Sequence, residues 1–142
     1  MIDTYSDLQG RLAQMTPSLG VIFATEEART QGSWHLTRVT AVALSHIHCD
    51  GAQDTAEEVV LDILAARLGT PMEAGRFSHI LAQAAGRRDG IGDLALRVSL
   101  WSARWQVSDL RQADGDVAVH LIPDPAYCRG AAKMAEGAPA CC

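Results

Sequence analysis

The sequence predicts an α+β domain in which a mostly antiparallel sheet carries helices on one face. Two observations near the middle of the chain lead to this prediction: residues 34–48 form a long apolar stretch, and residues 54–68 follow it with helical spacing. The third observation is the pair Asp114-Gly115, a typical hairpin turn between two strands. With 142 residues, the chain has the length of one domain that can bury an ordinary core.

The N-terminal part of the chain predicts a helix, a strand and a polar loop. Residues 4–15 place apolar side chains on one helical face, and Thr4 is a suitable N-cap. Residues 19–24 are a short apolar run that fits a strand of the sheet. Residues 25–33 are polar and contain glycine, which indicates a loop.

The central strand and the segment after it organise the rest of the prediction. Both faces of residues 39–47 are apolar, which is typical of a strand covered on both sides. In residues 54–68, Asp54 and Glu57 have the spacing of a capping box, and Gly69 suits a helix C-terminus. The pattern therefore predicts a helix that packs on the preceding strand through an apolar stripe. Its members are Val60, Leu61, Leu64 and Leu68.

The C-terminal part predicts one short helix and a closing pair of strands. Residues 76–85 have helical spacing, and residues 86–93 form a glycine-rich charged loop. Residues 94–107 predict one strand whose apolar parity changes near Leu100, so we expect a bulge or burial on both sides. Residues 117–122 return as its partner. The predicted domain spans residues 1–127, and residues 128–142 lack apolar periodicity and are predicted to be a flexible tail.

Composition and charge argue against several classes of function. Lys and Arg number 12 against 17 Asp and Glu, which gives a net charge of −5 and no basic stripe for wrapping nucleic acid. No apolar run reaches the roughly 18 residues that a membrane span requires. The N-terminus lacks the basic head and apolar core of a signal peptide. We therefore expect synthesis in the cytoplasm and no membrane partner.

One short motif has the residue types of a metal site. His46, His48 and Asp50 follow the apolar strand, and alternate histidines at a strand end can present two imidazoles on one side. The motif resembles the H-x-H-x-D-H metal motif of the metallo-β-lactamase family, but Gly51 stands where that family has its next histidine. The alternative function is thus a small metal-dependent hydrolase or metal-binding protein. Because a ligand is missing, we expect no metal and no other cofactor.

Cysteines and tryptophans give less specific signals. The four cysteines include no C-x-x-C pair, and the adjacent Cys141 and Cys142 are expected to be nonfunctional thiols on the tail. Trp101 and Trp105 are four residues apart on the predicted strand and would share a face. They fit either core packing or the anchor of an interface.

The order of elements resembles that of the tail-terminator and head-to-tail connector proteins of long-tailed phages and gene transfer agents. The shared pattern is an N-terminal helix, a polar loop before a long strand, a helix after it and a closing hairpin, LWSARWQVSDLRQADGDVAVHLIPDP. The resemblance implies a structural virion protein, not an enzyme, made in the bacterial cytoplasm. It also implies a ring, commonly a hexamer, that contacts tail-tube or connector proteins while DNA passes through without specific binding.

A ring of this kind requires complementary surfaces on one chain. Glu26 and Glu27 in the first polar loop could meet Arg87 and Arg88 of a neighbouring copy. A third class of function, a regulatory or inhibitory binding module, is also compatible with a small acidic α+β domain.

Overall fold

The computed structural model describes residues 1–47 and 49–124, without the side chain of His46. The predicted tail, residues 128–142, lies outside the described residues. The elements in chain order are α1 (Tyr5–Ala13), β1 (Gly20–Ala24), β2 (Trp34–Ile47), β3 (Gln53–Ala65), α2 (Ala74–Arg87), a short 3-10 turn (Ile91–Asp93), β4 (Ala95–Leu100), β5 (Ala103–Ala113) and β6 (Asp116–Pro123).

The six strands form one mixed sheet in the order β1-β6-β5-β4-β3-β2. The pairs β2–β3, β4–β5 and β5–β6 are antiparallel, whereas β1–β6 and β3–β4 are parallel. The fold is compatible with the predicted α+β class, but the prediction of a mostly antiparallel sheet is wrong. The physical reason is that α2 serves as the crossover between β3 and β4, and a crossover helix brings the second strand back parallel to the first.

The helix predicted for residues 54–68 is wrong, because most of this segment is β3. Its capping-box pair forms no cap, since Asp54 pairs with His46 and Glu57 with Ala43 in the antiparallel β2–β3 ladder. Val59, Leu61 and Ile63 alternate into the core, as a strand requires. Leu64 and Leu68, which the helical stripe would have buried, are 63% and 83% exposed. A contiguous apolar run satisfies helical and strand spacing alike, and here the cross-strand pairing decides between them.

Several other local predictions are confirmed. The N-terminal helix is confirmed: Thr4 and Asp7 form a capping box in which each side chain accepts from the other residue's backbone N–H at 3.1 Å. The strands at β1 and β6 and the helix at α2 are also confirmed, although α2 extends through Arg87 into the predicted loop. Asp114 and Gly115 form the β5–β6 turn with φ of 46° and 91°.

The single long strand predicted for residues 94–107 is wrong. The chain reverses at Trp101 and Ser102, whose φ values of 55° and 57° make a tight turn between β4 and β5. A two-residue hairpin turn with positive φ at both positions normally carries Asn or Gly. Because Trp101 and Ser102 are not typical of such a turn, the sequence did not predict it. The change of apolar parity at Leu100 marks the turn and not a bulge within one strand.

One hydrophobic core joins both helices to the sheet. Tyr5, Leu8 and Leu12 of α1 and Phe77 and Leu81 of α2 are fully or almost fully buried in it. The sheet contributes the alternate residues of its strands. They are Val21, Phe23, Trp34, Val59, Leu61, Ile63, Leu96, Val98, Leu100, Val107, Leu110, Val117, Val119 and Leu121.

An aromatic cluster connects the two outermost strands at one end of the sheet. The ring of Trp34, at the start of β2, lies 4.9 Å from Phe23 of β1 and 4.9 Å from Phe77 of α2, both edge to face. Its Nε1 donates to the backbone oxygen of Val21 at 2.8 Å. The sheet therefore curls so that its two margins converge at this end and are held by a buried, fully satisfied tryptophan.

Candidate functional site

The β2–β3 hairpin extends beyond the rest of the sheet. β4 pairs with β3 only from Glu58 to Asp62, whereas the β2–β3 ladder continues from Ala43↔Glu57 to Ile47↔Gln53. We call residues 43–57 the arm. Five further pairs at a rise of about 3.3 Å per residue make a two-stranded projection roughly 15 Å long. Within the described residues no third strand supports it.

The described surface of the arm is acidic and carries one large exposed apolar side chain. Asp50, Asp54 and Glu57 lie on it, and it contains no Lys or Arg. Ile47 is 68% exposed. An isolated pair of strands gains little stability in water, so a projection of this length is expected to gain stability from contacts beyond the described sheet.

Ion pairs anchor the arm at its root. Glu58, the first β3 residue paired with β4, is 7% exposed, and its carboxylate lies 3.6 Å from Arg97 Nη2 and 3.4 Å from Arg104 Nη1. Arg97 Nε also lies 3.2 Å from Asp124 Oδ1. These contacts join β3, β4, β5 and the residue after β6, so the point from which the arm projects is fixed. The sequence did not reveal this network, because residues 54–68, which include Glu58, were predicted to be a helix.

Asp50 of the predicted metal motif lies at the far end of the arm. Asp50 Oδ1 accepts from the backbone N–H of Ala52 at 2.9 Å, so this carboxylate helps to hold the turn. His48 and the side chain of His46 fall outside the description, and the metal hypothesis stays a prediction. Among the described residues no three His, Cys, Asp or Glu side chains gather in a metal-binding arrangement.

A groove separates β2 from the C-terminal half of α2. Its volume is about 380 Å³. We call it the β2–α2 groove. Its lining residues are Leu36, Thr37, Arg38, Val39, Ala41, Ile80, Gln83, Ala84, Arg87, Arg88 and Ile91. Two of the predicted interface residues, Arg87 and Arg88, therefore lie at the rim of a concave surface.

The two acidic residues among the predicted interface residues lie in a tight turn after β1. Thr25 Oγ1 accepts from the N–H groups of Glu27 and Ala28 at 3.2 and 3.0 Å, and the Thr25 N–H donates to the Ala28 oxygen at 2.7 Å. We call residues 25–28 the acidic turn. Glu26 and Glu27 are exposed at its tip. Because β1 and β2 are the outermost strands of the sheet, the turn and the groove belong to opposite margins.

Trp101 and Trp105 come together, but not on one strand as predicted. Trp101 is the first residue of the β4–β5 turn and Trp105 lies in β5. Their ring centroids are 6.4 Å apart at 90°, and Trp105 Nε1 donates to the Leu100 oxygen at 2.8 Å. Trp101 is 40% exposed, whereas Trp105 is half-buried against the core. Trp105 also lines a second hollow, of about 240 Å³, beside the acidic turn. Their role as interface anchors stays a prediction.

The two margins differ in how their backbone groups are satisfied. On the outer side of β1, the Val21 N–H donates to Met72 at 2.8 Å, and the Thr30 N–H donates to Phe23 at 2.9 Å. On the outer side of β2, no described element hydrogen-bonds with the backbone of residues 35–47. The β2 margin is therefore an open strand edge, which another chain can pair with or cover.

Comparisons of the chain with protein-family models, with curated proteins and with solved structures find no match. Neither helix in the described part of the chain is long and apolar enough to cross a membrane.

Proposed function

We propose that this protein is a structural subunit that assembles into a ring at the end of a phage-like tail or at the head–tail junction, without catalysis. The single observation that carries the proposal is the arm, a two-stranded extension of the sheet with no supporting strand in the described part of its own chain. A projection of this kind is suited to reaching a neighbouring subunit.

The open edge of β2 supports the same function. Exposed edges promote pairing with other chains, and soluble proteins usually protect them with charges, bulges or covering segments. Here the ladder has one irregularity, between Leu36 and Arg38, and most of the strand beyond it continues regularly into the arm. An edge of this length suits a protein whose working state is an assembly.

Partners and location follow from the proposal. The contacts would be with further copies of the chain and with tail-tube or connector proteins in the virion, and no membrane is involved. The net charge of −5 suits a ring through which DNA slides, because an acidic lumen repels phosphates.

Native mass spectrometry and electron microscopy of the purified full-length chain test the proposal. We expect a closed ring of fixed copy number that forms as concentration rises or when tail tubes are supplied. In purified particles, immunogold labelling should place the chain at one end of the tail. A chain that remains monomeric under all these conditions, and that labels no particle, would refute the proposal.

A further inference from the structure

The β2–α2 groove is positively charged on a protein that is acidic overall. Arg87 and Arg88 are exposed and make no ion pair with any described residue. Arg38 pairs with Asp62 at 3.1 Å, but its side chain is 73% exposed. Beneath these arginines the groove offers apolar surface from Leu36, Val39 and Ile80. The occupant that fits is compact and acidic, with some apolar surface.

The acidic turn of a second copy has these properties. Glu26 and Glu27 form no ion pair within the described chain, so their charges are available for an intermolecular contact. The hydrogen bonds of Thr25 hold the turn in one conformation, which lowers the entropy cost of docking. Beside the turn lie Trp105, Ile122 and Pro123, which add apolar surface.

We propose that the acidic turn of one copy docks into the β2–α2 groove of the next copy; this contact rests on the ring function proposed above. Because the two surfaces are different parts of the chain, the contact is heterologous and each copy offers one surface to each neighbour. The ionic pairs set the register between copies, and the apolar groove floor supplies affinity.

A charge-swap series tests the contact. The variants are R87E/R88E, E26R/E27R and the quadruple variant that combines them. The matched control is R67E/R76E, which reverses two exposed arginines away from the groove. Sedimentation velocity of the full-length chain measures self-association, with tail tubes added if the isolated chain requires them. Circular dichroism checks that each variant is folded.

We expect each double swap to weaken self-association at least about tenfold, because like charges then face each other in the groove. Self-association of the quadruple variant should return to within about tenfold of the wild-type value. Self-association of R67E/R76E should equal that of the wild type. The difference in self-association between the wild type and each double swap should shrink as the salt concentration rises.

The failures of the contact and of the ring are distinguishable. If all variants form the wild-type ring equally well, the ring stands and the contact is refuted. If both double swaps abolish the ring and the quadruple variant does not recover it, the two patches bind other surfaces, such as the acidic arm, and the contact is again refuted. If the wild type forms no ring under any condition, both proposals fail.

Discussion

At the residue scale, two leucines on β3 separate the observed strand from the predicted helix. Leu61 is fully buried and Leu64 is 63% exposed, although the helical pattern placed both on one buried stripe. Leu61→Ala should lower the free energy of unfolding by about 2 to 5 kcal/mol, because it leaves a cavity in the core. Leu64→Ala should change it by less than about 0.5 kcal/mol. Urea denaturation of both variants gives the two values, and equal losses would contradict the strand assignment.

Tyr5 gives the fold a dependence on alkaline pH. Its hydroxyl donates to the Leu81 oxygen at 2.6 Å and is fully buried, and desolvation raises the pKa of the phenol to about 12. The folded pKa exceeds the unfolded value of 10.0. The contribution of the buried Tyr5 hydroxyl to the stability of the fold is therefore complete below pH 10 and is lost as pH rises towards 12.

The matched variant is Tyr5→Phe, which keeps the ring but cannot ionise. Relative to Y5F, the wild type should lose roughly 2 kcal/mol of its free energy of unfolding between pH 8 and pH 11.5. Denaturation with urea at both values measures this change. A difference independent of pH would show that the hydroxyl is not desolvated in the fold.

Asp109 shows how local charges tie α1 to the sheet. A hydrogen bond from Arg111 at 2.7 Å is the largest cause that lowers the pKa of Asp109, and the Leu110 N–H adds to it. Arg11 of α1 lies 3.4 Å from the same carboxylate and donates to the Leu110 oxygen at 2.7 Å. These contacts fix one side of α1 over β5.

At the element scale, the β4–β5 turn stores backbone strain. Ser102 has a φ of 57°. Residues other than glycine adopt this left-handed backbone conformation at a cost of about 1 to 2 kcal/mol. Ser102→Gly should raise the free energy of unfolding by a few tenths to about 1 kcal/mol, after the added freedom of glycine in the unfolded chain is subtracted.

Ser99→Gly is the control for this turn variant. Ser99 lies within β4, where glycine should lower stability by roughly 0.5 to 1 kcal/mol. Thermal unfolding of both variants should therefore shift in opposite directions. A loss of stability in Ser102→Gly would indicate that the turn is not strained.

Local chemistry decided which elements the sequence could predict. Thr4 with Asp7 and Asp114 with Gly115 act within a few residues, so their cap and turn could be recognised without tertiary information. The same reasoning failed at Asp54 and Glu57, where an identical spacing occurs in a strand. Trp101 and Ser102 failed for the converse reason, because the residue types do not match the turn they make.

The sequence predicted the candidate surfaces only in part. Charge identified Glu26, Glu27, Arg87 and Arg88, but nothing local could show that they lie at opposite margins. The groove is formed by β2 and α2, which are not sequence neighbours, and its position depends on β3 being a strand. The sequence did not predict the arm for the same reason, since residues 54–57 of its second strand were assigned to a helix.

At the scale of the whole molecule, the arm should be separable from the domain. Replacing residues 45–55 by Asn-Gly shortens the hairpin to the pair Leu44↔Ala56 and supplies a suitable two-residue turn. The replacement also removes Cys49, which is disulfide-bonded, so the two chains are compared under reducing conditions. The free energy of unfolding of the monomer should then change by less than about 1 kcal/mol, because the core of the sheet lies elsewhere. Ring formation should be lost.

Denaturation and electron microscopy of the shortened chain measure the two properties separately. A shortened chain that unfolds like the wild type and still closes into rings would remove the arm from the assembly mechanism. A shortened chain that no longer folds would show that the arm belongs to the core, against its lack of supporting strands.

The pairing of β1 with β6 has a consequence for synthesis on the ribosome. β1 is among the first strands made, and β6, its strand partner in the described sheet, is the last described strand to leave the exit tunnel. The β2–β3 hairpin, with its open edge, can form much earlier because its contacts are local. For most of translation the nascent chain thus carries an edge that favours association before the sheet is complete. Neighbouring copies on one polysome are then the first chains that edge can meet. The later folding of β6 covers one edge of β1 but leaves the edge of β2 open, so contacts through β2 can begin during synthesis.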